Sequence, residues 1–185
     1  MQEWFERIPK EKIVAAPLPG QAEIDGLRQE LLGALDDVRR GNPSNWPEKR
    51  RELFDALRRK SKHHLTLATN LSDALEGRED PALVEASFKR GLETEVGAVN
   101  EATLKEAALL AENRNPDYLR DKMRFHRGRG LSLQREAAAL KENVYDWIQG
   151  KGSEAIAGQN AREKRLKLAE IREFARNLKP EDFED

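Results

Sequence analysis

Two long segments with a helical spacing of apolar residues decide the fold of this chain. They are PEKRRELFDALRRKSKHHLTLATNLSDALE, residues 47–76, and PALVEASFKRGLETEVGAVNEATLKEAALLAEN, residues 81–113. Only the four residues GRED, 77–80, connect them. Apolar residues that recur every three or four positions line one side of a helix, and so short a connector turns the second helix back along the first. The sequence therefore predicts a long antiparallel helix pair at the centre of the molecule.

Shorter helices surround this pair in the prediction. In chain order, they cover residues 22–40 and then begin near Asn115, Ser132 and Asn160. Gly41 is the expected end of the first of them, and the glycines of GRG, residues 128–130, predict a break between the second and the third. No segment shows the alternation typical of a strand. We therefore expect an all-α protein, an elongated helical bundle of five or six helices with narrow, coiled-coil-like apolar seams.

The chain divides into three predicted regions. Residues 1–20 contain Pro9, Pro17 and Pro19 and are expected to form an extended N-terminal arm. Residues 21–178 form the helical bundle, which at this length is expected to be one domain. Residues 179–185 form an acidic tail.

Composition excludes several classes of function. Charged residues make up 36% of the chain, against about 25% in a typical protein. The net charge of -1 gives the whole molecule no general attraction for nucleic acid or anionic lipid. The absence of cysteine excludes thiol catalysis and disulfides. No run of about 18 apolar residues and no secretory signal occurs, which predicts a cytoplasmic protein without a membrane span and leaves signal-independent export open.

The apolar spacing of the two long helices also predicts core residues. These are Leu57, Leu71, Phe88, Val96 and Leu104. Large apolar residues are nearly lacking between residues 58 and 64. We therefore expect the middle of that helix to be less buried than its ends.

A basic segment is the most unusual local feature of the sequence. Residues 122–135 contain five arginines and lysines, one histidine and no acidic residue. The candidate binding residues are Lys122, Arg124, His126, Arg127, Arg129 and Arg135. At a helix break beside two glycines, such side chains and free backbone amides would bind a phosphate, a carboxylate or an acidic partner. The alternative is a structural role, in which the arginines cap a helix and pair with glutamates of the neighbouring helix.

Catalytic and metal-binding patterns are lacking. His63 and His64 are neighbours that point about 100° apart on a helix, so they do not form a natural metal pair. No histidine follows a glutamate at the spacing of three residues that di-metal helical bundles use. We expect no metal, no cofactor and no enzymatic activity. Trp46 and Trp147 are expected in the core, with a role as partner anchors as the alternative.

The sequence favours a non-enzymatic helical interaction protein, such as an adaptor, an effector or an accessory factor, that binds another macromolecule. A protein is the expected partner. The alternative is an anion-binding or nucleic-acid-binding module that uses residues 122–135, although Phe125 is the only aromatic residue interleaved there. Salt dependence separates the two, since binding driven by phosphate contacts weakens steeply as salt is added.

Overall fold

The computed structural model describes residues 18–76, 97–112, 115–152 and 161–178. Its α-helices are α1 Gln21–Arg39, α2 Trp46–Glu76, α3 Gly97–Ala111, α4 Pro116–Glu142, α5 Val144–Trp147 and α6 Ala161–Ala175, and a π-helical turn, Ile148–Gly152, follows α5. None of the described residues lies in a strand. The predicted all-α class is confirmed. Nearly all of the predicted N-terminal arm, and the acidic tail, lie outside the described residues.

Helix α1 ends at the glycine that the sequence predicts. Gly41 has a φ of 77°, a left-handed conformation that side chains with a Cβ rarely adopt. Its amide donates to the carbonyl of Val38, and the amide of Asn42 donates to the carbonyl of Asp37, both over 2.9 Å. These two bonds satisfy carbonyl groups that the end of a helix otherwise leaves unpaired.

The chain divides into two compact units, and both boundaries between them fall inside a helix. Unit 1 comprises Met1–Leu18 and Lys60–Leu131, and unit 2 comprises Pro19–Arg59 and Ser132–Asp185. Among the described residues, the core of unit 1 is built on Leu67, Leu71, Ala107 and Leu119. The core of unit 2 includes Leu31, Leu35, Leu53, Leu57, Leu140, Trp147, Ile148 and Ile171. Helices α2 and α4 each supply residues to both cores.

Three of the five predicted core residues are confirmed. Leu57 and Leu71 are fully buried, and Leu104 is 2% exposed. Phe88 and Val96 lie outside the described residues. Helix α3 contacts α2 in unit 1, where the amide of Asn70 donates to the hydroxyl of Thr103 over 2.8 Å. Because residues 77–96 are not described, the long antiparallel pair remains a prediction.

The expectation of an exposed middle in α2 is wrong. Ser61, His63 and His64 are each at most 9% exposed, although they carry polar groups. The hydroxyl of Ser61 donates to the carbonyl of Gly130 over 2.8 Å, and His64 bonds to a histidine of α4. The gap in the apolar spacing is therefore filled by polar side chains that find partners inside unit 1, which is the condition for burying them.

The predicted break at residues 128–130 is also wrong, because α4 continues through them. An internal glycine costs a helix about 1 kcal/mol, which burial of neighbouring residues readily offsets. Gly130 has a packing role: a Cβ there would lie 2.7 Å from Cγ of Leu65 and 3.1 Å from its backbone nitrogen. The helix ends later, and Asn143 starts α5 by accepting a hydrogen bond from the amide of Tyr145 over 2.9 Å.

Both tryptophans named by the sequence analysis belong to the core of unit 2. Trp46 is 7% exposed and Trp147 is 1% exposed. Neither presents its ring to solvent as a partner anchor would. The predicted core role is confirmed for both.

Candidate functional site

The six predicted binding residues all lie on α4, but the helix separates them into two groups. Arg124, Arg127 and Arg135 are exposed. The remaining three, Lys122, His126 and Arg129, are partly buried. Arg135 belongs to unit 2 and the other five belong to unit 1. The structure therefore does not gather the six residues into one anion site.

The continuity of α4 also removes one part of the predicted anion site. In an unbroken helix, the amides around Gly128 and Gly130 lie in the hydrogen-bonded interior of the helix. They are not the accessible amides that bind phosphate at the start of a helix or in a glycine-rich turn. Any ligand of this segment is bound by side chains.

The exposed side of α4 in unit 1 carries a stripe of arginines and apolar residues, which we name the basic face. It consists of the stripe Arg120, Arg124, Arg127 and Leu131, together with Phe125, which lies about 100° around the helix from Arg124 at the edge of the stripe. Residues 120, 124, 127 and 131 follow one another at helical spacing and therefore line one side of the helix. The side chains of Arg120 and Arg124 are 54% and 75% exposed. Phe125 is 59% exposed and Leu131 is 39% exposed.

Among the described residues, only weak ion pairs neutralise the basic face. Arg120 contacts Asp117 over 2.9 Å, and Arg124 lies 3.9 Å from Asp121. All four of these side chains are more than half exposed, and exposed pairs of this kind contribute about 0 to 1 kcal/mol. Arg127 has no ion pair with any residue that the structure describes. Within the described part of the chain, the guanidinium groups of Arg124 and Arg127 therefore have no strong counter-charge.

Phe125 is held in place beside its charged neighbours. Nζ of Lys122 lies 5.9 Å from the centre of the Phe125 ring, within the range of a cation–π contact. The ring of His126 meets Phe125 edge to face, with centroids 5.2 Å apart. These contacts orient an aromatic ring that still exposes more than half of its surface.

A cluster of histidines, missed by the sequence analysis, lies on the side of α4 that packs against α2. His64 on α2 and His126 on α4 bring their Nδ1 atoms to 2.9 Å. His63 lies beside His64, with ring centroids 5.6 Å apart. Nε2 of His63 lies 3.4 Å from a carboxylate oxygen of Glu106 on α3. We name these three histidines the histidine cluster, and they are the only histidines in the chain.

The surroundings of the histidine cluster disfavour protonation. Burial lowers the pKa of His64 to about 4, and the nearby positive groups of His126, His63, Lys60 and Arg129 act in the same direction. Burial also lowers the pKa of His63. The pKa of His126 is lowered by burial as well, although the carboxylate of Glu106 opposes that effect.

The cluster was hard to find in the sequence because its two halves are 62 residues apart. His63 and His64 alone do not form a site, and His126 was grouped with the arginines around it. The available signal was the gap in the apolar spacing of α2. A polar residue at a core position of a helix needs a partner from another element, and His126 is the partner of His64.

Unit 2 contains two buried charge networks. Arg28 donates to both carboxylate oxygens of Glu136 over 2.8 and 2.7 Å, and the indole of Trp147 donates to the same carboxylate over 3.1 Å. Asp36 contacts Arg39, Arg40 and Lys167 over 2.9 to 3.2 Å. Burial opposes ionisation of Asp36, but hydrogen bonds from Lys167 and Arg39 nevertheless lower its pKa.

These buried carboxylates have structural partners. Both oxygens of Glu136 accept hydrogen bonds from a cation, which is the arrangement that makes a buried charge tolerable. Asp36 connects α1 to α6 through Lys167. The networks therefore hold the helices of unit 2 together.

In the described ranges, no three His, Asp or Glu side chains are arranged to hold a metal ion. No helix in the described part of the chain is long and apolar enough to cross a membrane. The chain matches no protein-family model, no curated protein and no solved structure. The function must therefore be argued from the two features of unit 1, the basic face and the histidine cluster.

Proposed function

We propose that this chain is a non-enzymatic interaction protein whose basic face binds an acidic surface on a protein partner. The observation that carries the proposal is the exposure of Phe125, 59% of whose surface is accessible although Lys122 lies against its ring and Arg124 is its neighbour in the chain. Aromatic residues and arginine are enriched in protein interfaces and among the residues that dominate binding energy. Burial of the ring by a partner would be favourable, at roughly 25 cal/mol per Å² of apolar surface.

The arginines give the face its preference for an acidic partner. Arg124 and Arg127 present planar guanidinium groups that can bind carboxylates through two parallel hydrogen bonds. Since residues 122–131 contain no acidic residue, these side chains create a local positive potential on a nearly neutral protein. Such a potential speeds the association of an oppositely charged partner.

Two features favour a protein over a nucleic acid as the partner. Single-stranded nucleic acids bind to surfaces with several aromatic residues for stacking, whereas the basic face contains only Phe125. Phe125 and Leu131 instead supply the apolar contact that a protein surface can bury.

The test compares two double charge reversals. Arg124→Glu with Arg127→Glu changes the basic face, and Arg59→Glu with Arg165→Glu makes the same change in net charge at exposed positions of unit 2. In quantitative pull-downs from native lysate, we expect the first variant to bind its partner at least tenfold more weakly, about 1.4 kcal/mol, and the second to bind normally. Both should melt within a few degrees of the wild type.

Three results would contradict the proposal. Partners retained by both variants would exclude the basic face. Equal losses in both variants would mean that net charge alone drives the association. Loss of the bound material on nuclease treatment, with a steep dependence on salt, would favour the nucleic-acid-binding alternative.

A further inference from the structure

The two central histidines meet edge to edge. The Nδ1 atoms of His64 and His126 are 2.9 Å apart, while the ring centroids are 5.1 Å apart and the ring planes differ by 26°. Atoms of two rings stacked face to face do not come this close. The distance between the ring centroids exceeds the distance between the Nδ1 atoms by about two ring radii, as expected when each Nδ1 points towards the other ring. The rings therefore lie nearly in one plane, in the geometry of an N–H···N hydrogen bond.

This hydrogen bond restricts the number of protons that the pair can hold. One Nδ1 donates its hydrogen and the other accepts with its lone pair, so the accepting ring must be neutral and at most one ring of the pair can be charged. A first added proton can bind the outer nitrogen of the donor ring and leave the bond intact. A second proton must occupy the accepting Nδ1, where two N–H groups would then face each other across 2.9 Å.

The other charged groups around the pair make even the first proton unfavourable. Lys60 faces the cluster from α2, and Lys122 and Arg129 face it from α4. Against these three cations, Glu106 on α3 is the acidic group in contact with the cluster, through His63. His63 adds a further titratable ring, and its Nδ1 is buried without a hydrogen-bond partner in the part of the chain that the structure describes.

The cluster lies beside a close contact between α2 and α4. Ser61 donates to the carbonyl of Gly130, and Leu65 packs against Gly130 itself. His64 and His126 are within one or two turns of these contacts on the same two helices. Repulsion within the cluster would therefore act directly on the packing of α4 against α2.

We propose that the histidine cluster is a proton-sensitive latch that holds α4 against α2 in unit 1 at neutral pH and releases it in mild acid. The neutral pair joins the helices through its hydrogen bond, and protonation favours any opened state in which the imidazolium groups reach water. The latch does not depend on the proposed partner, because it concerns the internal packing of unit 1.

The pKa of His64 sets the expected size of the effect. With a pKa of about 4 in the closed state and an ordinary value of 6.5 in the opened state, the opening equilibrium rises roughly twentyfold between pH 7 and pH 5. The sign follows from proton uptake, because the opened state binds more protons than the closed state in this range. The lowered pKa values of His63 and His126 add to the effect in the same direction.

Two measurements on the full chain test the latch. The first is an NMR titration, in which only three histidines contribute signals. The second is amide hydrogen exchange at pH 7 and pH 5, corrected for the intrinsic effect of pH on exchange. We expect His64 to titrate well below pH 6.5, and amides near residues 61–65 and 126–130 to lose at least tenfold in protection. Amides of α1 and α5, in unit 2, should lose much less.

The control is His64→Asn, because the amide of asparagine can occupy the position of Nδ1 and donate to His126 without titrating. This variant should retain protection at pH 7 and lose most of the acid response of unit 1. An unchanged acid response in the variant would overturn the proposal. Titration of all three wild-type histidines near pH 6.5, or protection in unit 1 that does not depend on pH, would overturn it even if the variant fails to fold.

Discussion

The close approach of α2 and α4 predicts opposite effects for the same substitution at two glycines of one helix. Gly128 faces open space, so Gly128→Ala should gain the helical preference of alanine, about 1 kcal/mol, at no steric cost. At Gly130 the same gain is opposed, because the new Cβ would lie 2.7 and 2.8 Å from side-chain atoms of Leu65 and 3.1 Å from its backbone nitrogen. The side chain of Leu65 can rotate away, but its backbone can move only with α2.

Both variants gain the same helical preference. The difference between their free energies of unfolding therefore measures the steric cost at Gly130. Overpacking of this kind costs about 1 to 3 kcal/mol, so Gly130→Ala should be less stable than Gly128→Ala by that amount. Urea unfolding followed by circular dichroism measures the difference in the free energy of unfolding. If the two variants are equally stabilised, α2 and α4 do not approach each other at Gly130, and the account of the unbroken helix fails.

Two further predictions concern the buried charges of unit 2. Glu136→Gln should lower the free energy of unfolding by about 3 to 5 kcal/mol, because it leaves the buried Arg28 without its main counter-charge. Asp25→Asn removes the other partner of Arg28, whose side chain is 49% exposed, and should cost less than about 1 kcal/mol. Equal losses of the two variants in urea unfolding would contradict the assigned roles. Asp36→Asn should cost roughly 1 to 3 kcal/mol at pH 7. The pKa of Asp36 is lowered from 3.8 in the folded state, so its carboxylate stabilises the protein above pH 3.8 and this stabilisation is lost in stronger acid. The cost of Asp36→Asn should therefore be smaller at pH 3 than at pH 7. A cost that does not change with pH would argue against the ionic role.

Local signals in the sequence predicted the end of α1, the start of α4 and part of the core. Gly41 ends α1 because its left-handed conformation is a local property of the chain. The start of α4 was predicted for a similar reason, since the side chain of Asn115 accepts a hydrogen bond from the amide of Tyr118 over 2.8 Å. Leu57 and Leu71 were predicted because burial on one side of a helix leaves a periodic pattern in the sequence.

The arrangement of the candidate site could not be predicted from the sequence because it depends on contacts between distant segments. Gly130 lies inside α4 against Leu65, so the close approach of α2 accounts for this glycine better than a helix break does. The histidine cluster requires the register of α2 against α4, which no local pattern encodes. The sequence identified the basic residues as one group. Which of them are exposed and which are partly buried depends on which side of α4 packs in unit 1.

Photo-crosslinking from the basic face tests the proposed function most directly. A benzophenone-bearing residue replaces Phe125, which is 59% exposed, and in a control it replaces Leu166, an apolar residue of unit 2 that is 61% exposed. We predict a crosslink to a protein from position 125 that Arg124→Glu with Arg127→Glu removes, and no such crosslink from position 166. A crosslink from position 166 alone, or one from position 125 that survives the charge reversal, would contradict the assignment of the basic face as the binding surface.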